Sequence, residues 1–173
     1  MIYGSYQVKK VSAIASCKIC NETNDKNLFL NFITFFCNLG KSLHCNERIA
    51  FLIVIENGFS YFSSHFYLTS FWPILSDILI DKISNVKCFL LKILPSILRK
   101  INNKDIEDQI KEIISVLIES KIKLEKEIAE NINIQLMSLD MSTNFSYFNI
   151  SEEQKLSNHE DFLLMKNEQV IIK

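Results

Sequence analysis

Apolar residues in this chain fall into a stripe that returns at a fixed distance. Phe32, Phe35, Phe36 and Leu39 step by 3, 1 and 3, and Phe71, Ile74, Leu75, Ile78 and Ile110, Ile113, Ile114, Leu117 repeat those steps. This is the i, i+3, i+4, i+7 spacing of one face of an amphipathic helix. Each set stands 39 residues after the last. The basic residues Lys9, Arg48, Lys87 and Lys126 keep the same interval. Two residues beyond them stand Val11, Ala50, Phe89 and Ile128, and six beyond stand Ala15, Val54, Ile93 and Ile132. All six apolar columns are filled without a gap, which chance does not give even in a chain that is 48% hydrophobic.

Each 39-residue unit therefore holds two helices, an A helix carrying the stripe and a B helix starting near the basic residue. The expected elements are a lone B helix over 6–20, pairs over 26–39 with 46–57, 64–80 with 84–101, and 105–119 with 121–137. Thus residues 1–137 form the repeat region, with pairs spanning 26–57, 64–101 and 105–137. The punctuation agrees. Gly40 and Gly58 stand where helices close. Asn46, Ser63 or Ser64, Ser84 or Asn85, and Asp105 stand where helices open. Pro73 and Pro95 fall inside helices, where each removes a backbone hydrogen bond and bends the axis.

A period near 40 residues with two helices per unit is the arrangement of HEAT and armadillo repeats. One helix pair is too small to bury its own apolar face, so neighbouring pairs share a core. The expected fold is all-α, a HEAT-like α-solenoid of antiparallel helix pairs. One stretch is more specific. Phe71-Trp72-Pro73-Ile74-Leu75-Ser76-Asp77-Ile78-Leu79, then Asp81-Lys82-Ile83-Ser84-Asn85-Val86-Lys87, resembles a HEAT repeat of the phosphatase-scaffold type. Asp81, Asn85 and Val86 match that family's turn, whereas Lys82 and Lys87 replace its proline and arginine. Phe89-Leu90-Leu91-Lys92-Ile93-Leu94-Pro95 continues the likeness. It is good over 60–100, loose over 6–60 and 101–137, and absent beyond. The resemblance implies a regulatory or scaffold subunit holding a serine/threonine phosphatase catalytic subunit, with the turn around Lys82, Ser84 and Lys87 as a place of contact.

Composition narrows the class. Gly (3) and Pro (2) are too scarce for an all-β chain, which turns often. A net charge of −1 leaves no electrostatic footprint for nucleic acid. The longest unbroken apolar run, Ile49–Ile55, is far short of the roughly 20 residues of a membrane-spanning helix, and Ser70, Pro73, Ser76 and Asp77 interrupt the next candidate, 66–80. The five cysteines are odd in number and follow no secretory leader, so reduced thiols in a cytoplasmic (or nuclear) protein are expected. Three sequons, at Asn21, Asn144 and Asn149, carry meaning only on a secretory route.

Catalytic and cofactor motifs are missing. No Gly-rich phosphate loop, H-E-x-x-H or G-x-S-x-G occurs, and no cofactor or metal is expected. Cys17-x-x-Cys20 lacks the second pair that zinc needs and the βαβ context of a redox motif, and reads as small apolar residues on a helix. Trp72 is either a partner anchor or core, and the basic column either contacts a partner or bonds the carbonyls and acids of the A–B turns. Lys121, Lys123 and Lys126 with Glu125, Glu127 and Glu130 read as a solvated face.

From 138 the repeat stops. Residues 138–149 read as a Ser/Asn-rich loop, and Ser151-Glu152-Glu153-Gln154 can start a short helix over 151–166 in an otherwise irregular tail, 138–173. At the other end, Val8, Val11, Ile14 and Ile19 have no preceding A helix. That edge is expected to expose apolar surface, as in a fragment of a longer protein or a chain that docks there; a monodisperse monomer binding no apolar dye would count against this. The expected function is a non-catalytic scaffold. Its partner is a protein, such as a phosphatase catalytic subunit, and neither nucleic acid nor membrane. A different HEAT adaptor in transport or on the cytoskeleton, an enzyme using Cys17/Cys20 or Cys45/His44, and a membrane protein are the alternatives.

Overall fold

A computed structural model describes residues 5–119, 122–140 and 150–165. The first residue of the expected 121–137 helix, residues 141–149 of the expected loop, and 166–173 of the tail lie outside them, as do the sequons at Asn144 and Asn149. Among the described residues every regular element is helical. In chain order these are α1 (Tyr6–Glu22), α2 (Lys26–Gly40), α3 (Cys45–Asn57), α4 (Ser64–Phe66), a π-helical turn (Tyr67–Phe71), α5 (Trp72–Leu79), α6 (Ser84–Ile101), α7 (Lys104–Ile118), α8 (Lys123–Asp140) and α9 (Ile150–Met165). α2 packs on α3, α5 on α6 and α7 on α8. α1, α3, α6 and α8 form a row, each against the next, and α2 touches α5 on the other side.

Local chemistry fixes most helix starts. Asp25 accepts from the N–H groups of Asn27 and Leu28, Ser63 Oγ from Phe66 and Asn103 Oδ1 from Ile106. The first two helices so capped begin as their sequences imply. The last is capped by Asn103, two residues before Asp105, because an extended backbone at 103 aims its amide at the free N–H of Ile106. His44 and Ile83, rather than Asn46 and Ser84 or Asn85, occupy the N-cap positions of α3 and α6, and neither makes a side-chain cap. Asp81 Oδ1 instead accepts from Ile83 N–H at 2.8 Å, holding the turn before α6. α6 ends on Asn102, in the left-handed region at φ 47°, with its N–H on Leu98 O. Asn tolerates that conformation better than most residues.

Pro73 does not simply bend its helix. It lies in the first turn of α5, directly after the π-helical turn, where Trp72 N–H bonds back to Tyr67 O across one extra residue. Proline has no N–H for the carbonyl four residues earlier, and one wider turn re-registers the helix around the mismatch. Gly40 likewise differs from a closing residue beyond its helix. It is the last residue inside α2 and is buried. A Cβ there would lie 2.6 Å from Ile74 Cγ2 and 2.9 Å from Phe51 Cδ1, so the glycine sets how closely α2 approaches α3 and α5. Gly40→Ala is expected to destabilise by about 1–2 kcal/mol, the overpacking exceeding the gain in helix propensity; urea denaturation checks this.

The core follows the stripe columns most closely in the middle of the chain. Phe71 and Ile110, Phe36, Leu75 and Ile114, and Leu39 and Ile78 are all buried, and Phe32 is half-buried against the core. Phe29, Phe51, Phe62, Phe66, Tyr67 and Phe71 form one aromatic block, with Phe62, Phe66 and Tyr67 centroids 5.3–5.5 Å from that of Phe71. Tyr67 hides its hydroxyl by donating to Ile55 O at 2.8 Å. At α1 the columns fail. Val11 is 65% exposed and Ala15 is exposed, whereas Ala13, Cys17 and Cys20 are buried. α1 packs chiefly on α3 and presents that face alone; Val8 and Ile19 join Val11 in solvent.

Candidate binding surface

The residues expected at a partner contact surround the turn between α5 and α6. Lys82 is exposed and Ser84 half-buried there. Lys87, one turn into α6, puts its amino group 2.8 Å from Glu125 Oε1 of α8, and that carboxylate is buried. Trp72 is half-buried, packed on the core at the start of α5. Eight residues of helix, about 12 Å, separate it from the turn, so the four do not form one cluster.

Arg48 explains the basic column. Its Nη1 donates to Ser42 O at 2.7 Å in the turn before α3, and its Nη2 donates to Asp81 Oδ1 at 3.1 Å, with Nε 2.6 Å from Oδ2. One guanidinium thus ties its own turn to the turn of the next helix pair. Lys87 also reaches the next pair, by a single contact with Glu125 in the first turn of α8. Lys126 is exposed, with Glu130 of its own helix 3.9 Å away.

Cys17 and Cys20 are buried. Burial, with the Cys20 thiol beside it, pushes Cys17 up to about 12, and burial alone pushes Cys20 there. Thiols so reluctant to ionise make poor nucleophiles and metal ligands. Cys17 directs its Sγ toward Val54 O at 3.9 Å. Among the described residues no three potential metal ligands cluster, and no helix is long and apolar enough to cross a membrane.

A second polar site was not anticipated. α9 lies against α4 and α2 and lowers two carboxylates onto the start of α4. Ser63 N–H donates to Glu160 Oε1 at 2.8 Å, and Ser63 Oγ–H donates to Glu160 Oε2. Ser64 N–H donates to Glu153 Oε1, and Lys100 of α6 lies 2.7 Å from Glu153 Oε2. Ser64 Oγ–H donates to Lys100 O at 2.6 Å. Lys100 is 2% and Glu160 4% exposed. Burial pushes Glu160 up to about 7 against the hydrogen bonds of Ser63, the Glu153 charge adding to the rise and Lys100 opposing it. Burial also works to raise Glu153, but hydrogen bonds from Lys100 and Ser64 and the Lys100 charge hold it below the usual carboxylate range. The only trace in sequence is that Glu153 and Glu160, seven residues apart, share a helix face.

No protein-family profile, curated protein or solved structure matches this chain. Its function has to be argued from its own residues.

Proposed function

We propose that the chain is a HEAT-like α-solenoid with a 39-residue period that acts as a non-catalytic scaffold, a regulatory subunit for a serine/threonine phosphatase catalytic subunit of the type 4/2A class. The observation that carries the scaffold half is the Arg48–Asp81 bridge between consecutive turns, echoed by Lys87–Glu125 one pair later. Arg48 and Lys87, 39 residues apart, each reach an acidic residue of the following pair, which supports a repeat array. The phosphatase half rests on the likeness of 71–95 to phosphatase-scaffold repeats, such as those of regulatory subunit 4 of protein phosphatase 4. The buried, hard-to-ionise thiols of Cys17 and Cys20 support a non-catalytic reading, and the location expected for it is the cytoplasm.

Lys82 and Ser84 are the contact residues on this reading, since Lys87 is engaged with Glu125 and Trp72 lies a helix away. The test is titration of the full chain with purified type 4 and type 2A catalytic subunits by calorimetry. Binding at micromolar Kd or tighter is expected, weakened about tenfold by Lys82→Glu, a loss of about 1.4 kcal/mol. No binding of either catalytic subunit at 100-fold higher concentration overturns the phosphatase assignment.

A further inference from the structure

We propose that α9 is a pH-sensitive latch, closed over the start of α4 while Glu160 is protonated and released when Glu160 ionises. The geometry sets its two parts apart. Among the described α9 side chains Leu163 is buried and Leu156 half-buried, while Phe162 and Leu164 are partly open to solvent. Polar attachment includes Glu153 and Glu160, whose oxygens meet the N–H groups of Ser64 and Ser63, and Lys26 of α2, whose amino group reaches Leu164 O at 3.4 Å. Buried charges held this way return little net stability, since desolvation offsets their attraction.

The two carboxylates are not equivalent. Glu153 has Lys100 opposite and docks as an anion. Glu160 faces the Ser63 hydroxyl and N–H, the buried Tyr67 of the π-helical turn and the Glu153 anion, with Lys100 already on Glu153 and His159 next to it on α9. A buried Glu160 beside the half-buried Glu153 anion, both near Lys100, is favoured neutral. A protonated Glu160 keeps Oε1 as an acceptor for Ser63 N–H.

The direction follows from linkage. Glu160 titrates near 7 with α9 docked and near the ordinary 4.5 when it is free. Its docked value is raised, so the docking it favours is complete below pH 4.5 and lost as pH rises through 7. Glu153 has the opposite sense, but it is ionised docked and free above its ordinary 4.5 and contributes no slope there. Between pH 5.5 and 8 the docking constant of α9 should fall about 30-fold.

Amide hydrogen exchange of the full chain at pH 5.5 and pH 8, corrected for intrinsic rates, tests this on peptides from 150–165. Protection there should drop about 30-fold at the higher pH while peptides from α3 keep theirs. Glu160→Gln, a neutral isostere, should keep α9 protected at both pH values, and His159→Gln should behave as the parent chain does. A pH-independent α9, a parallel loss in α3, an unprotected α9 in Glu160→Gln at pH 5.5, or a slope that vanishes in His159→Gln would each overturn the latch.

Discussion

Phe71→Ala is expected to remove about 3–5 kcal/mol of stability, the range for truncating a buried aromatic residue. Phe71 is wholly buried, and the rings of Phe51, Phe62, Phe66 and Tyr67 stand around it, mostly edge-on, with centroids 5.3–6.0 Å away. Alanine would leave a void ringed by side chains from α3, α4 and the π-helical turn, plus the segment before α4. These cannot close it together, because Tyr67 is held by its hydroxyl on Ile55 O and Phe51 lies against Gly40. A domain of this size is stable by roughly 5–15 kcal/mol, so the variant sits near the unfolding threshold. Its thermal midpoint should fall by about 10 °C. Phe35→Ala is the control. Phe35 belongs to the same stripe but is 40% exposed, and its loss should be about 1 kcal/mol. Equal effects of the two in urea denaturation would refute the packing described.

That contrast also marks how far a one-dimensional pattern reaches. The columns through Phe71, Leu75 and Ile78 foretold burial because the π-helical turn and α5 pack on α6, and α2 lies against α5 as well. Phe35 and Val11 occupy equally apolar columns, yet solvent reaches both. Apolar periodicity reports the face a helix offers, and neighbours decide how much of it is covered. Helix ends were legible where Ser63 caps its own helix. They shifted by one or two residues at Asn103 and Ile83, where backbone geometry chose the cap. The role of Gly40 was hidden, because a close approach depends on Ile74 and Phe51, both far away in sequence. The α9 anchorage was invisible for a different reason. It is made of charged and hydroxyl groups, which in sequence read as solvated surface, and nothing along the chain links Glu160 to Ser63 across 97 positions. Of the candidate contact residues, the turn holding Lys82 and Ser84 was legible from Asp81 and Asn85, while the commitment of Lys87 to Glu125 depended on which helix stood beside it.

Asp81→Ala should be the most costly change outside the aromatic block, about 3 kcal/mol. Asp81 does two jobs with one carboxylate. It closes the turn into α6 by accepting from Ile83 N–H, and it neutralises Arg48, whose side chain is only 13% exposed. Alanine leaves that guanidinium with the Ser42 carbonyl but no anion, in a place where water cannot replace the lost partner. Asp81→Asn separates the two roles, because it keeps an oxygen for Ile83 N–H and loses only the charge. Its cost should be about half that of alanine. The double variant Arg48→Met/Asp81→Leu should recover to within about 1 kcal/mol of the parent chain, since apolar replacements of a buried ion pair are often tolerated. A double-mutant cycle with Arg48→Ala should give a coupling of about 1–3 kcal/mol, little changed by 0.5 M salt. Coupling under about 0.5 kcal/mol would make this an ordinary surface pair. It would also remove the physical reason for a basic residue at position 48. If the bridge sets how one helix pair seats on the next, loss of either partner should loosen α3 against α6 in hydrogen exchange before it loosens α7 against α8.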